Sequence, residues 1–104
     1  MSGDKKRPRT ERRERERAAR ELVKARQKLA ALEPGGNRGR PIEVASSSVI
    51  DLRAESLPCP LCDGRYRILD HRADSAALRA LTVECRLCGV QRVLWFQIRP
   101  ALAN

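Results

Sequence analysis

The sequence predicts a small metal-stabilised β domain with a three-stranded antiparallel sheet, preceded by a separate charged N-terminal α-helix. Three observations support this. The four cysteines of the 104-residue chain form two Cys-x-x-Cys pairs, Cys59 with Cys62 and Cys85 with Cys88. Strand-like segments lie between and after these pairs, and residues 10–33 are strong helix formers without Gly or Pro. Aromatic residues make up only 3% of the chain, so a domain of this size needs a staple besides its core.

Changes in composition divide the chain into five segments. In chain order we expect a disordered basic tail (1–9), a charged helix (10–33), a flexible linker (34–40), an extended arm (41–57) and the metal-stabilised domain (58–99). The run Pro-Gly-Gly-Asn after residue 33 ends the helix. In the arm, short β-branched pieces at 42–44 and 49–52 flank three serines, and we expect the arm to add an edge strand.

The charged helix has Thr10 as its expected N-cap and acidic residues placed four positions before basic ones, which favours exposed ion pairs. Its apolar residues alternate spacings of four and three, as in a short heptad repeat: Ala18, Leu22, Ala25, Leu29 and Leu32. Two interpretations follow. The helix is either solvated on all sides, or it associates with itself or with a protein partner through residues 18–32.

Three strands are expected after Gly64. They are the segment RYRILDH, the segment 78–84 and the segment 90–98, with the first hairpin turn over 70–75. Trp95 and Phe96 are consecutive in the last strand and therefore point to opposite faces of the sheet. One of them is expected in the core, and the other is either covered by the arm or free for contacts.

The two Cys-x-x-Cys pairs carry the chemistry. Two intervening residues let a tight turn present both sulfurs to one metal ion, so each pair is half of a tetrahedral site. The chain must reverse after each pair, and a glycine lies near both points. Gly89 comes directly after Cys88, and Gly64 comes two positions after Cys62, with one residue between them. Pro60 stiffens the first turn. The 22 residues between Cys62 and Cys85 suffice for a strand, a turn and a return strand.

In these residues the chain resembles the zinc-ribbon family, and bacterial proteins of that family in particular. The resemblance covers residues 58–99 and implies one structural Zn²⁺ per chain, with Cys59, Cys62, Cys85 and Cys88 as its ligands. It also implies a binding module more often than an enzyme. The elongation-factor ribbon presents two adjacent acidic residues at its hairpin tip, whereas the corresponding tip here reads Asp-His-Arg-Ala-Asp from Asp70 to Asp74. A role in a polymerase active site is therefore not expected.

The sequence alone leaves other interpretations of the four cysteines to be considered. Disulfides are disfavoured because two matched pairs occur in a chain with no visible signal peptide. A redox Cys-x-x-Cys is disfavoured because neither pair is followed by a helical pattern. Iron uses the same four-sulfur ligand set as zinc. The single histidine, His71, is expected in an exposed loop, and no nucleophile pattern surrounds it. A closed four-sulfur site leaves no open position for water, so we expect no enzyme activity and no small-molecule substrate.

The net charge of +9 favours polyanionic partners, RNA or DNA, bound mainly through phosphates. The basic excess is largest in residues 1–33, with 12 basic and 6 acidic side chains. The candidate contact residues are Lys5, Lys6, Arg7, Arg9, Arg65, Arg67, Arg86, Arg92 and Trp95. The alternative function is a protein-interaction adaptor that uses the helix as a short coiled coil. No signal peptide or membrane span is visible, and together with paired cysteines this predicts a cytoplasmic protein with no membrane partner.

Overall fold

The structure, a computed structural model, describes residues 7–100, so Lys5 and Lys6 lie outside it. A long N-terminal helix leads into a four-stranded sheet that carries one short helix on its face. The elements are α1 (Pro8–Leu32), β1 (Ile42–Val44), a 3₁₀ turn (Ser47–Val49), α2 (Ile50–Ser56), β2 (Tyr66–Ala73), β3 (Leu78–Cys85) and β4 (Gln91–Ile98).

The sheet is four-stranded and mixed, which corrects the expectation of three antiparallel strands. Its order is β1-β4-β3-β2, with β2, β3 and β4 antiparallel and β1 parallel to β4. Ile42 pairs with Phe96, and Val44 pairs with Ile98. A parallel pair needs a long crossover connection, and here α2, β2 and β3 all lie between the two partners.

Residues 41–57 are not extended throughout, contrary to the sequence interpretation. Only β1 is a strand, and residues 47–56 are helical. Ile50 and Ala54 lie four residues apart on one face of α2, and both are fully buried. The burial of this face against the sheet outweighs the β propensity of Val49 and Ile50, which had favoured a strand.

The core lies between α2 and the face of the sheet that it covers. Phe96, Leu81 and Val83 are fully inaccessible there, and Tyr66 is 1% exposed. Because side chains alternate along a strand, Trp95 lies on the opposite face, where it is half-buried beside residues of α1. The predicted division of Trp95 and Phe96 between the two faces is confirmed.

The first hairpin turn comes later than expected. β2 continues to Ala73, and the turn is closed by hydrogen bonds from the N–H groups of Asp74 and Ser75 to the carbonyl of Leu78. A register shift between Ile68 and Asp70 inserts an extra residue, so the alternation of the strand changes at that point. His71 therefore lies in a strand and not in an exposed loop.

α1 starts at Pro8, and its N-cap is Arg7 rather than Thr10. The ring of Pro8 fixes a helical φ and lacks the N–H that a first-turn residue would leave unbonded, which makes it a good starting residue. All described residues of α1 except Ala30 are exposed. The helix thus contacts the rest of the molecule only through its C-terminal end.

Residues 34–40 form a hydrogen-bonded turn and not an open spacer. Gly35 donates its N–H to the carbonyl of Arg40 (2.6 Å) and accepts from the N–H of Trp95 (2.9 Å). A Cβ on Gly36 would stand 1.9 Å from the carbonyl oxygen of Ala30, so only glycine fits this close approach. The turn attaches the end of α1 to the edge of β4.

Candidate metal centre

The two cysteine pairs form a pair of matching turns, here called the first knuckle (59–64) and the second knuckle (85–90). Corresponding backbone groups make the same hydrogen bonds in both. These are Asp63 N to Cys59 O (2.9 Å) and Gly89 N to Cys85 O (3.0 Å), and Cys59 N to Gly64 O and Cys85 N to Val90 O (2.9 Å each). The residue after each pair has a left-handed φ, 61° at Asp63 and 79° at Gly89. Each Cys-x-x-Cys sequence thus specifies one local turn.

The knuckles bring the four sulfurs into one cluster. The Sγ atoms of Cys59, Cys62, Cys85 and Cys88 all lie within 4.8 Å of one another. Between the knuckles, Cys59 Sγ and Cys88 Sγ are 3.7 Å apart, and Cys62 Sγ and Cys85 Sγ are 3.4 Å apart. A tetrahedral ion with sulfur ligands at about 2.3 Å requires sulfurs roughly 3.8 Å from each other. The cluster therefore has the size of a site for one metal ion.

All four cysteines are free, and their separations far exceed the length of about 2.05 Å of a disulfide bond. No other group of three or more histidine, cysteine or acidic residues within 7–100 has the spacing of a metal site. His71 lies elsewhere, with its Nδ1 2.9 Å from Oδ1 of Asp51 on α2. The four sulfurs are thus the one candidate ligand set among the described residues, and His71 links α2 to β2 instead.

Backbone amides stabilise the sulfurs in their anionic form. The N–H groups of Leu61 and Leu87 donate to Cys59 Sγ and Cys85 Sγ at 3.4 Å, and the N–H of Gly64 donates to Cys62 Sγ at 3.4 Å. Metal ligands must be thiolates, and hydrogen bonds to a charged group favour that charge. The backbone N–H groups of the knuckles therefore stabilise thiolates more than neutral thiols.

The pKa values of Cys62 and Cys85 are shifted in opposite directions. The N–H groups of Cys88 and Leu87 lower the pKa of Cys85 to about 6. The N–H of Gly64 also lowers the pKa of Cys62, but burial and the neighbouring thiols raise it to about 12. Four thiolates this close together repel one another, which opposes their full ionisation. A divalent cation would offset that repulsion and replace the remaining protons.

Gly64 fits the metal cluster more closely than the sequence indicated. A Cβ at this position would stand 2.8 Å from Cys85 Sγ and 3.1 Å from Cys62 Sγ. In the sequence, Gly89 comes directly after its cysteine pair, whereas Gly64 comes one residue later. In the structure Asp63 takes the left-handed position of the first knuckle, and Gly64 leaves room for sulfurs from both knuckles. This role could have been inferred from the sequence, because Gly64 lies where the turns of the two cysteine pairs must approach each other.

The predicted nucleic-acid contact residues do not lie on one surface. Arg65 and Arg86 are exposed and line one hollow beside α2. Arg67 pairs with Glu84 across β2 and β3, and the pKa of Glu84 is lowered by that hydrogen bond and by another from Gln91. Trp95 lies on the sheet face away from α2. Arg7 and Arg9 are exposed at the start of α1.

Arg92 has an internal role that the sequence analysis missed. Its Nη1 donates to the hydroxyl of Tyr66 (3.3 Å), and its Nη2 donates to the carbonyl of Ala30 at the end of α1 (3.5 Å). It therefore joins the core, β4 and α1. Asn37 and Arg40 cap two further carbonyls of the same helix end, those of Ala31 and Leu32.

Comparison with protein-family models, curated proteins and solved structures finds no significant match to this chain. Its class therefore rests on the geometry given above. The chain is a small domain with an N-terminal helix, a four-stranded mixed sheet and a four-cysteine cluster that could hold one metal ion. That cluster marks it as a structural metal-binding module. Within residues 7–100, no helix has the length and apolar character needed to cross a bilayer.

Proposed function

We propose that the chain is a zinc-ribbon module without enzymatic activity, held together by one structural Zn²⁺, that associates with RNA or DNA through phosphate contacts of α1. One observation carries the nucleic-acid part. Four basic side chains of α1 line one face of the helix with no acidic residue among them: Arg13, Arg17, Arg20 and Lys24. We call this set the basic stripe.

We propose zinc as the metal of this site, because it is the usual ion of four-cysteine structural sites. Four thiolates at tetrahedral spacing suit zinc or iron. The domain has few large core side chains, and the binding energy of structural zinc in zinc-finger peptides is about 10–16 kcal/mol. That exceeds the free energy of unfolding that a domain of this size draws from its core alone. When bound, the ion would be held by Cys59, Cys62, Cys85 and Cys88, and it would supply cross-linking rather than chemistry.

The closed ligand set also supports a non-enzymatic role. Catalytic zinc sites keep one position for water or substrate, whereas here four sulfurs use all tetrahedral positions. Cys59 and Cys85 are buried, and together with the knuckle amides they fix the cluster at the edge of the core. The metal site therefore serves the fold, and any recognition must come from surfaces around it.

The basic stripe follows from helix geometry. Its members are spaced by four, three and four residues, and side chains at such spacings lie above one another on one face. From Arg13 to Lys24 the stripe is about 16 Å long. Glu16 and Glu21 flank it without interrupting it, and Glu16 pairs with Arg12 on the other side. The four stripe cations have no ion-pair partner among the described residues, so their charge is available for phosphates.

The experiment compares two charge-matched double variants of the full chain. Arg17→Gln with Arg20→Gln removes two stripe cations, and Arg12→Gln with Arg15→Gln removes two cations from another face of α1. Binding to a labelled oligonucleotide is measured over a range of salt concentrations. Each phosphate contact contributes about 0.9 to the slope of log affinity against log salt on a duplex, so the stripe variant should lose roughly 2 from the slope. Equal effects of both variants, or no binding by the parent chain, would contradict the proposal.

A second candidate function is a protein-interaction adaptor, and a separate feature of α1 favours it. Leu22, Leu29 and Leu32 are more than half exposed on a helix face that no other part of residues 7–100 covers. Such a line of leucines on an otherwise charged helix is typical of a docking surface. Replacing Leu22 and Leu29 by Ala should weaken this association at high salt, where phosphate binding is already lost.

A further inference from the structure

The apolar residues of α1 form a line that nothing in residues 7–100 covers, here called the seam: Ala18, Leu22, Ala25, Leu29 and Leu32. The exposed fractions of Leu22, Leu29 and Leu32 are 52%, 62% and 63%. We infer that the seam pairs with the seam of a second copy of this chain, as a parallel and in-register two-stranded coiled coil. This goes beyond the proposed function, because it names the partner, its orientation and its register.

The β domain leaves the seam accessible to such a partner. The end of α1 contacts the domain through Ala30, which is buried, and through Arg26, whose Nη1 donates to the carbonyl of Leu61. At about 3.6 residues per turn, Ala30 lies roughly 120° around the helix axis from the middle of the seam. Leu29 borders the groove between α1 and the first knuckle, so a second helix along the seam lies beside the β domain at this end and is free of it towards Ala18.

The seam residues fit the core positions of a coiled coil. Their spacings of four and three place Leu22 and Leu29 at position a, and Ala18, Ala25 and Leu32 at position d. Towards the N-terminus the next core positions are Arg15 and Glu11, which interrupt the apolar line. Pairing is thus confined to about two heptads.

Charge complementarity selects the parallel, in-register arrangement. The flanking g positions are Glu21 and Lys28, and the flanking e positions are Arg26 and Glu33, the C-cap residue directly after the last helical residue. In a parallel pair each g residue meets the e residue five positions later on the other helix. Glu21 then meets Arg26 of the second copy, and Lys28 meets Glu33. By symmetry both contacts occur twice, and all four are attractive.

A different register is disfavoured by the same four residues. Sliding one helix by a heptad brings Glu21 against Glu33 and Lys28 against Arg26, so both contacts become repulsive. Arg7 and Arg12 repel each other in the chosen register, but they lie beyond the end of the seam. The basic stripe lies on the side of α1 away from the seam, so dimerisation leaves it accessible.

The first test is sedimentation equilibrium of the full zinc-loaded chain up to millimolar concentration. The parent chain is expected to form a reversible dimer. Lys28→Glu alone turns two attractive contacts into repulsive ones and should weaken the dimer about tenfold, and Glu33→Lys alone should do the same. The double variant restores opposite charges and should recover most of the affinity. The pair Glu21→Lys and Arg26→Glu repeats the test, although Arg26 also bonds Leu61.

Orientation is tested by disulfide formation. In a parallel pair Leu22 lies beside Leu22 of the second copy, so the Leu22→Cys variant should become a covalent dimer on mild oxidation. The parent chain, oxidised in the same way with its metal bound, controls for the native cysteines. A monomeric parent chain at millimolar concentration would overturn the inference. So would a failure of the charge-swapped double variants to recover, or a Leu22→Cys dimer that does not cross-link.

Discussion

Gly64 and Cys85 belong to different knuckles, yet a Cβ on Gly64 would stand 2.8 Å from the sulfur of Cys85. It would also stand 2.8 Å from Cβ of Leu87, so neither neighbour is the far end of a flexible side chain. The two knuckles therefore pack against each other at Gly64. The absence of a side chain there allows them to approach closely.

The first prediction is that Gly64→Ala weakens metal binding. The added methyl group must push the second knuckle away and disturb the sulfur spacing. Metal affinity should therefore fall at least about tenfold, as it does when groups that support metal ligands are changed. Competition with a chromogenic chelator measures this. Gly89→Ala is the matched control, because nothing lies within 4 Å of its Cβ and it costs only about 1 kcal/mol of backbone strain. Equal metal affinities of the two variants would contradict the steric explanation.

A second prediction concerns metal removal. Elemental analysis should find one zinc per chain, and a strong chelator should abolish the strand signal in circular dichroism. The helical signal of α1 should persist in part, because α1 touches the metal domain only at its C-terminal end. The Cys59→Ser and Cys62→Ser double variant should give the same spectrum without a chelator. An unchanged spectrum after complete metal removal would show that the core alone stabilises the sheet.

Tyr66 provides a prediction about alkaline pH. Burial raises its pKa above the ordinary value of 10.0, and Arg92 lowers it in part. A group whose pKa is raised by folding stabilises the protein fully below its unfolded pKa, so stability should fall as the pH rises above about 10. Tyr66 is the only tyrosine, so the absorbance of its phenolate reports the pKa directly. Arg92→Leu should raise that pKa further, and Tyr66→Phe should remove this alkaline contribution. A midpoint at or below the ordinary value would contradict the burial of its hydroxyl.

Arg92 yields a prediction about the attachment of α1. Arg92→Leu removes hydrogen bonds to Ala30 and Tyr66, and the loss should cost about 1–3 kcal/mol because both acceptors are partly buried. Hydrogen exchange at the N–H of Trp95, which bonds Gly35, should become faster. The exposed Arg72→Leu serves as a control. If Trp95 exchanges equally slowly in both variants, the turn of residues 34–40 attaches α1 without Arg92.

The cysteine cluster could be anticipated from sequence because it depends on local turns. The spacing within each pair determines where its own two sulfurs point, and the intervening hairpin joins the halves. In contrast, α2 and β1 form through contacts between distant residues. Ile50 and Ala54 are helical because the sheet buries them, and β1 pairs with a strand far along the chain. No local pattern in residues 41–57 contains that information.

The role of the glycines in residues 34–40 was likewise hidden. A Gly-Gly pair after a helix predicts flexibility as readily as a tight turn. The tight turn is determined by contacts in the folded structure. Gly35 accepts a hydrogen bond from Trp95 of β4, and Gly36 lies against Ala30 at the end of α1. The seam and the basic stripe do not depend on contacts with distant residues. Both are properties of one helix and follow from the spacing of its residues.

The parallel pairing of β1 with β4 has a consequence for synthesis. Ile42 leaves the ribosome long before Phe96, and until then the strand has no partner. α1 can form at once from local hydrogen bonds, whereas the first knuckle must wait for the second and β1 for β4. Because its central contacts join residues far apart in sequence, the domain should fold late and slowly compared with a helical protein of the same length. During that delay the first two cysteines have no partner sulfurs, because Cys85 and Cys88 of the second knuckle have not yet been made.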